Sequence, residues 1–452
     1  LCVWRSNDKP SKIPGVEPSD PKDGNLADIG KAGSLHEFLL QLHTRFGAIV
    51  SFWLGQEKFV SISSPELFKQ SGKVFDRPLE LFRKFELLWT EHSIVATNGA
   101  EARRRRHNID QAFSHEASLS YWAVFVQNAE ELSRHLVKLP PDEHIPLCEH
   151  MLSISIKSIT RTSFGQIFKD EQEAFKFQKD YEVCWNEIER QICGDEPDED
   201  SPRIKRFNES KKNVHAVVRR AISLRRERHT PDGDTLLIDR LIQHGGTEEE
   251  ILADGITFLV CGAQTVAFPL VWTIYYLCLH DDVQEKVYKE LVEVLRGQNI
   301  TSDVIPQLQY MRQVIDETLR LAKTAPFTAR VHDDDIIMAG HVVPSGTPVV
   351  HAIGASFADA NLWPDPYRFD PDRFKPETRH QMKHFEPFGV GKRKCPGYRF
   401  AYVELTAVLL VLLSKFKFSL VEGQVVTPMF GLVTKPTDEV WVTVKKRPHR
   451  IG

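Results

Sequence analysis

Phe388-Gly389-Val390-Gly391-Lys392-Arg393-Lys394-Cys395-Pro396-Gly397 is the stretch that decides how this chain of 452 residues is read. A single cysteine closes a basic, glycine-punctuated loop, and an apolar helical run from Ala401 to Leu413 follows at once. A helix N-terminus and adjacent cations both lower a thiol pKa, so Cys395 is placed to work as a thiolate. The glycines ahead of it let backbone approach a flat ligand closely. No second cysteine or histidine stands at zinc-ligand spacing, which argues against a zinc site. A buried structural cysteine in a turn is the plainer alternative.

The pattern Phe-x-x-Gly-x-Arg-x-Cys-x-Gly is complete here in Phe388, Gly391, Arg393, Cys395 and Gly397, and it resembles the haem-binding loop of the cytochromes P-450. The resemblance implies that the Cys395 thiolate is the axial ligand of the iron of haem b. It also implies the family's fold, mainly α with a small β portion and a long central helix over the haem.

Working outward, an apolar content of 41% can bury a large core. Length alone suggests two or three domains, but no long Gly/Ser- or Pro-rich linker and no internal repeat divides the chain. Residues 16–452 therefore read as a single catalytic domain. Residues 1–15, with Pro10-Ser11-Lys12-Ile13-Pro14-Gly15, look like the remnant of the hinge that follows a microsomal member's membrane anchor, the anchor itself being absent. The resemblance then implies an endoplasmic reticulum membrane protein with its catalytic domain facing the cytosol. The net charge of −4 gives no case for nucleic-acid binding. Charge is patchy all the same: Arg103 to Arg106 form a basic run, and an acidic stretch from Asp195 to Asp200 precedes the basic Arg203 to Arg228. Such runs are either solvated faces or a docking surface for an acidic protein. Seven cysteines, an odd count without a framework, fit reduced thiols, so the sequons at Asn208 and Asn299 read as incidental.

Ser34 to Phe46 has helical apolar spacing, and Ala48 to Leu54 with Lys58 to Ile62 reads as a β-hairpin turning at Gly55. Pro65 opens a short helix. Phe75 to Thr97 reads as irregular and aromatic-rich, and helices occupy most of the chain from Asn98 to about residue 245. Thr247-Glu248-Glu249-Glu250 has the form of a capping box that starts the central helix. The uncharged run Gly255 to Leu279 is long enough to cross a membrane. Gln264, Thr265 and Pro269 within it, and Asp281-Asp282 just beyond, favour a buried core helix. Asp281 to Leu295 is an amphipathic helix, and Ser302 to Leu321 contains another. Thr328 to Val350 and Lys415 to Val444 are strand-like, and Trp363 to Phe374 is an ordered loop.

Glu317 and Arg320 share a helix face; as a surface pair they would contribute little. With Asp365 to Phe374 downstream at the family's spacing, the resemblance implies that Glu317, Arg320 and Arg373 lock together behind the haem loop. Haem propionates need cationic donors, and the resemblance assigns Arg393, Arg330 and Arg106 to them. Ala102 stands where the family's Trp-x-x-x-Arg motif has tryptophan, which puts the Arg106 contact in a different setting.

On the central helix the family pattern Ala/Gly-Gly-x-Asp/Glu-Thr is represented by Cys261-Gly262-Ala263-Gln264-Thr265. The resemblance implies that Gly262 leaves room for dioxygen and that Thr265 helps deliver protons for O–O cleavage. Gln264 replaces the acid. An amide can donate and accept hydrogen bonds but cannot take up and release a proton near neutral pH, so proton delivery is rerouted through water or coupling is poor.

Family-equivalent segments place Phe82, Phe85, Trp89, Phe258, Cys261, Phe327 and Phe430 around an apolar substrate cavity, where ordinary core packing is the alternative. The resemblance implies that Arg103 to Arg106, Lys392, Lys394 and Arg399 form a basic face for an acidic electron donor, the flavin-containing NADPH P-450 reductase, with a b-type cytochrome as a further candidate. Lys22 to Ile29, Gly33 to Leu39, Arg399 to Tyr402 and Val421 to Val425 are similar to the animal group called family 20. The function implied is a monooxygenase that inserts one oxygen atom from dioxygen into an apolar organic substrate. A haem-thiolate isomerase or peroxygenase that needs no reductase, which Gln264 would suit, and a non-catalytic haem sensor are the rivals.

Overall fold

Thr247 caps the central helix, Glu248–Leu279, reciprocally with Glu250: Thr247 Oγ1 accepts from the Glu250 N–H at 3.2 Å, and Glu250 Oε2 accepts from the Thr247 N–H at 2.8 Å. The computed structural model describes residues 12–448 apart from 141, 169, 193–194, 228–235 and 297–299, and without the side chains of Phe85 and residues 379–381. Most of the 1–15 segment, Cys2, Cys193 and Asn299 thus lie outside the described residues. The most apolar window of the central helix is 83% buried inside the protein, the behaviour of a core helix. Helices Leu147–Phe164, Pro202–Glu227 and Gln309–Ala322 pack against it. Close approach explains its glycine at 262, where a Cβ would come within 2.6 Å of the Ile159 side chain on Leu147–Phe164.

The helix after the cysteine loop, Tyr398–Lys415, is apolar on nearly every side. It can be so because Trp122–Leu136 and Asp281–Leu295 cover it, and each buried leucine contributes on the order of 1.5–3 kcal/mol. The largest apolar cluster joins these helices to the central one. Two smaller clusters lie on either side of a four-stranded sheet. In that sheet the hairpin Ile49–Leu54 and Glu57–Ile62 is antiparallel, Glu57–Ile62 runs parallel to Pro348–His351, and Thr328–Val331 closes the order. The register pairs Val60 with Val349 and Arg330 with Val349, so the strand carrying Arg330 lies at the edge of the sheet, with the Arg330 side chain buried.

Three stretches differ from the sequence reading. Phe75 to Thr97 is not wholly irregular: it holds a 3-10 helix at Leu79–Phe85 and single turns at Glu86–Trp89 and Ile94–Ala96. In Ser302 to Leu321, Pro306 confines the first part to a 3-10 turn, Ser302–Gln307, and the α-helix is Gln309–Ala322. A two-residue strand, Ile145–Pro146, pairs with Trp441–Lys446 among the helices, and two residues are too few to show a period.

Candidate functional site

The cysteine loop is held by its own backbone. The Cys395 N–H donates to the Phe388 carbonyl at 2.9 Å, and the Lys394 N–H to that of Gly391 at 3.1 Å. Gly391 has φ +69°, and a Cβ there would sit 1.8 Å from the Gly72 carbonyl oxygen, so no other residue fits. Phe388 packs its ring against Tyr398 and Tyr402. Gly397 N-caps the Tyr398–Lys415 helix. Burial raises the Cys395 thiol pKa, against the lowering expected from the sequence. The expected influences are present but smaller: the Gly397 N–H, Arg106, Arg77 and Lys394 all favour the thiolate.

Cys395 and Cys261 each have free surface. Yet burial pushes the Cys261 thiol up to about 12, with the nearness of Cys395 adding to it. Free surface on desolvated groups means that both sulfurs border an enclosed space, Cys395 from the loop side and Cys261 from the central helix.

Four arginines gather beside this space: Arg77 and Arg106 act electrostatically on the Cys395 thiol, and Arg330 and Arg393 lie close enough to those two to feel their charge. Arg106 Nε donates to Asp110 at 2.7 Å, and its Nη2 donates to the Lys394 carbonyl. Arg393 donates to the carbonyls of Phe75, Ile94 and Thr97, at 3.2, 3.3 and 2.6 Å. Arg330 donates to those of Ala329 and Val390, at 2.7 and 3.1 Å. The fourth, Arg77, was missed in the sequence. Its one signal there was an arginine directly before Pro78 in an aromatic stretch, and Asn98 pins its backbone through bonds of 3.0 and 2.8 Å. Burial, followed by the repulsion of the neighbouring arginines, lowers the pKa of Arg77, Arg330 and Arg393. The buried Nε atoms of Arg77 and Arg330 have no partner. Guanidinium does not give up its proton near neutral pH, so a cluster of this kind suits a dianionic group. A thiol facing an enclosed space with cations around it fits an iron porphyrin with two propionates.

On the central helix the Thr265 hydroxyl donates to the Cys261 carbonyl one turn back. Gln264 is buried with its Oε1 unpartnered, and its amide lies beside the Tyr181 hydroxyl without completing a hydrogen bond of full geometry. Gly262 and Thr265 are half-buried and Cys261 is exposed, while the missing Cβ of Gly262 also makes room for Ile159.

Behind the loop the structure brings Glu317, Arg320 and Arg373 together. Arg320 donates to Glu317 at 2.7 and 2.8 Å and to the carbonyls of Phe357, Pro366 and Arg368. Both side chains are fully buried. Arg373 Nε lies 3.3 Å from Glu317 Oε1, which also accepts from the Asp370 N–H at 2.9 Å. Burial raises the Glu317 pKa, and Arg320 opposes it.

The other expected residues are more scattered. Phe258 packs edge-on to Phe113 at 5.3 Å in the core, and Phe327 joins the cluster beside the sheet. The Phe430 ring lies tilted against that of His36, with centroids 4.7 Å apart, and Trp89 is buried. Arg77 sits over the Phe82 ring at 5.1 Å, while the Phe85 side chain lies outside the described residues. The basic run does not form one surface. Arg103 and Arg104 are exposed, but Arg105 turns inward to Asp254 at 2.6 Å and Arg106 to the cysteine loop. Lys392 and Arg399 remain exposed.

A sequence profile described as Cytochrome P450 matches residues 14–443. The chain is 35% identical to "Cytochrome P450 20A1" of Bos taurus over 451 residues, covering 99% of this chain and 96% of that protein. It is 34% identical to "Cytochrome P450 20A1" of Homo sapiens, with the same coverage of 99% and 96%. "Cyclooctat-9-en-7-ol 5-monooxygenase" of Streptomyces melanosporofaciens is 26% identical, with 86% of each chain covered. In fold, the chain superposes on the crystal structure of the cytochrome P450DA heme domain with a TM-score of 0.85 and 21% identity, covering 98% of this chain and 99% of that one.

Proposed function

The chain belongs to the cytochrome P450 family, and from that premise we propose that it oxygenates an apolar organic substrate with electrons passed from NADPH by a flavin-containing reductase. Membership makes it an oxygen-incorporating oxidoreductase with haem b as cofactor. The observation that carries the reading is Cys395, whose sulfur borders an enclosed space beside the cluster of Arg77, Arg106, Arg330 and Arg393. When bound, the haem would supply oxygen activation at its iron, tuned by electron donation from the Cys395 thiolate.

The chain's own residues divide the remaining work. Cys395 Sγ would ligate the iron, helped toward its thiolate form by the Gly397 N–H and by Arg106. The four arginines would hold the propionates, with Arg77 Nε and Arg330 Nε as donors not already engaged. Glu317, Arg320 and Arg373 keep the loop's backing rigid. Thr265 Oγ1 holds its proton on the Cys261 carbonyl, and a rotation about χ1 turns that O–H toward the enclosed space. Gln264 has no titratable proton to pass on, so the proton reaches Thr265 Oγ1 through water.

That same Gln264 favours a second reading, a haem-thiolate isomerase or peroxygenase that works without a reductase. Likeness to the animal family 20 relatives supports an endoplasmic reticulum membrane location with the catalytic domain toward the cytosol. The test is turnover under isotopically labelled dioxygen, with steroids, fatty acids and xenobiotics first screened for a substrate-induced spin-state shift. Label in a product formed only with NADPH and reductase is expected. Label-free product formed without reductase would favour the second reading.

A further inference from the structure

Helix Glu171–Ile192 carries Tyr181, Trp185 and Glu189 four residues apart, so the three share one face. Tyr181 and Trp185 are 0% and 3% exposed. The Tyr181 hydroxyl, the Trp185 Nε1 and the Glu189 Oε1 are all buried without a hydrogen-bond partner. Leaving one such atom unpaired costs about 1–3 kcal/mol, so three on one helix face call for a reason.

Their surroundings supply one. At one end of the strip, Tyr181 lies beside the Gln264 amide, next in sequence to Thr265 on the central helix. At the other end, Glu189 Oε1 would be 3.8 Å from a Cβ on Gly431, in the turn between strands Pro428–Phe430 and Thr434–Pro436. The other carboxylate oxygen, Glu189 Oε2, is held by the Lys435 ammonium, and both side chains are largely buried. The strip therefore runs from the segment bordering the enclosed space to the turn at Gly431.

We propose that Glu189 is a specificity-determining residue, whose Oε1 accepts a hydrogen bond from a neutral hydroxyl on the substrate end remote from the iron. This deepens the monooxygenase reading and rests on it. The occupant's charge follows from the pair. Lys435 already offsets the carboxylate and would repel a substrate ammonium, while Oε1 would repel a substrate carboxylate. A neutral donor satisfies Oε1 at no electrostatic cost. The substrate is thus an apolar body with a hydroxyl at one end, not a plain hydrocarbon.

The test uses 1-alkylimidazoles of increasing chain length, each paired with its terminal-hydroxyl, terminal-amino and terminal-carboxyl counterparts, titrated into haem-loaded protein by the Soret shift. At one chain length the hydroxyl compound is expected to bind roughly tenfold more tightly than its methyl-terminated partner, as one hydrogen bond at a buried, otherwise unpaired acceptor allows. Amino and carboxyl ends should gain nothing. Glu189→Leu combined with Lys435→Met removes both charges, an exchange that buried pairs commonly tolerate, and should abolish the hydroxyl preference while plain alkylimidazoles still bind. A hydroxyl preference absent at every length, or unchanged in the double variant, overturns this inference alone. No Soret shift with any imidazole overturns the haem reading and this inference together.

Discussion

Arg106, on the Gly99–Ala112 helix, donates its Nη2 to the backbone carbonyl of Lys394, the residue just before Cys395. Its Nε is gripped at the same time by Asp110 at 2.7 Å, one turn along the helix. One guanidinium thus fixes the cysteine loop to a helix almost three hundred residues earlier in the chain and faces the arginine cluster that suits propionates.

Arg106→Ala should therefore weaken haem retention. A hydrogen bond to a charged group is worth about 1.5–3 kcal/mol, so haem affinity should fall roughly ten- to a hundredfold. Haem transfer to an acceptor globin measures it, with Arg106→Lys falling between. Retention equal to the parent protein would remove Arg106 from the site.

Glu317 and Arg320 are both fully buried, so neither can lose its partner cheaply. Glu317→Ala leaves Arg320 charged in the core, which is expected to cost about 3–5 kcal/mol. Urea unfolding of whatever folds, together with the yield of haem-loaded protein, reads the loss. A change below about 1 kcal/mol would mark the pair as an ordinary surface bridge.

Gln264→Glu returns an acid to the position beside Thr265. Reductase-supported turnover should then release less hydrogen peroxide for each NADPH oxidised, because a titratable group now feeds Thr265. Identical stoichiometry in the two proteins would show that Gln264 plays no part in proton delivery.

His43 offers a pH test independent of haem. Its Nε2 is 2.8 Å from Ser61 Oγ and its Nδ1 2.8 Å from the Gly47 carbonyl, and burial lowers its pKa from 6.5 to about 4. Between those values the unfolded chain binds a proton that the folded one refuses. The contribution is thus complete above pH 6.5 and is lost as pH falls toward 4, by up to about 3 kcal/mol. Urea midpoints followed from pH 7 to 4 should fall less steeply in His43→Gln. Parallel curves would mean that His43 is protonated in the fold.

Much of this was legible because chemistry-bearing residues sit close together in sequence or repeat with a helical period. Phe388 to Gly397 announces the thiolate loop by itself, and Thr247 with Glu250 announces the start of the central helix. What the sequence concealed depends on long-range packing. Arg77 gathers with Arg106, Arg330 and Arg393 only once the Thr328–Val331 strand enters the sheet and the aromatic stretch folds beneath it. Nothing local reveals that the missing Cβ of Gly262 also accommodates Ile159 from another helix. Arg103 to Arg106 looked like one basic face; the helical turn sends Arg105 to Asp254 and Arg106 to Lys394, which leaves Arg103 and Arg104 outside. The thiol pKa went the other way because burial, invisible in sequence, outweighs the helix end and the cations.

The central claim is that Cys395 ligates haem iron as a thiolate. The most direct measurement is the Soret position of the reduced carbon monoxide complex, in the parent protein and in Cys395→His. The strongly red-shifted thiolate band is expected in the parent, replaced in Cys395→His by the shorter-wavelength band of imidazole-ligated haem. A parent protein without the red shift, or a band that Cys395→His leaves unmoved, would contradict it.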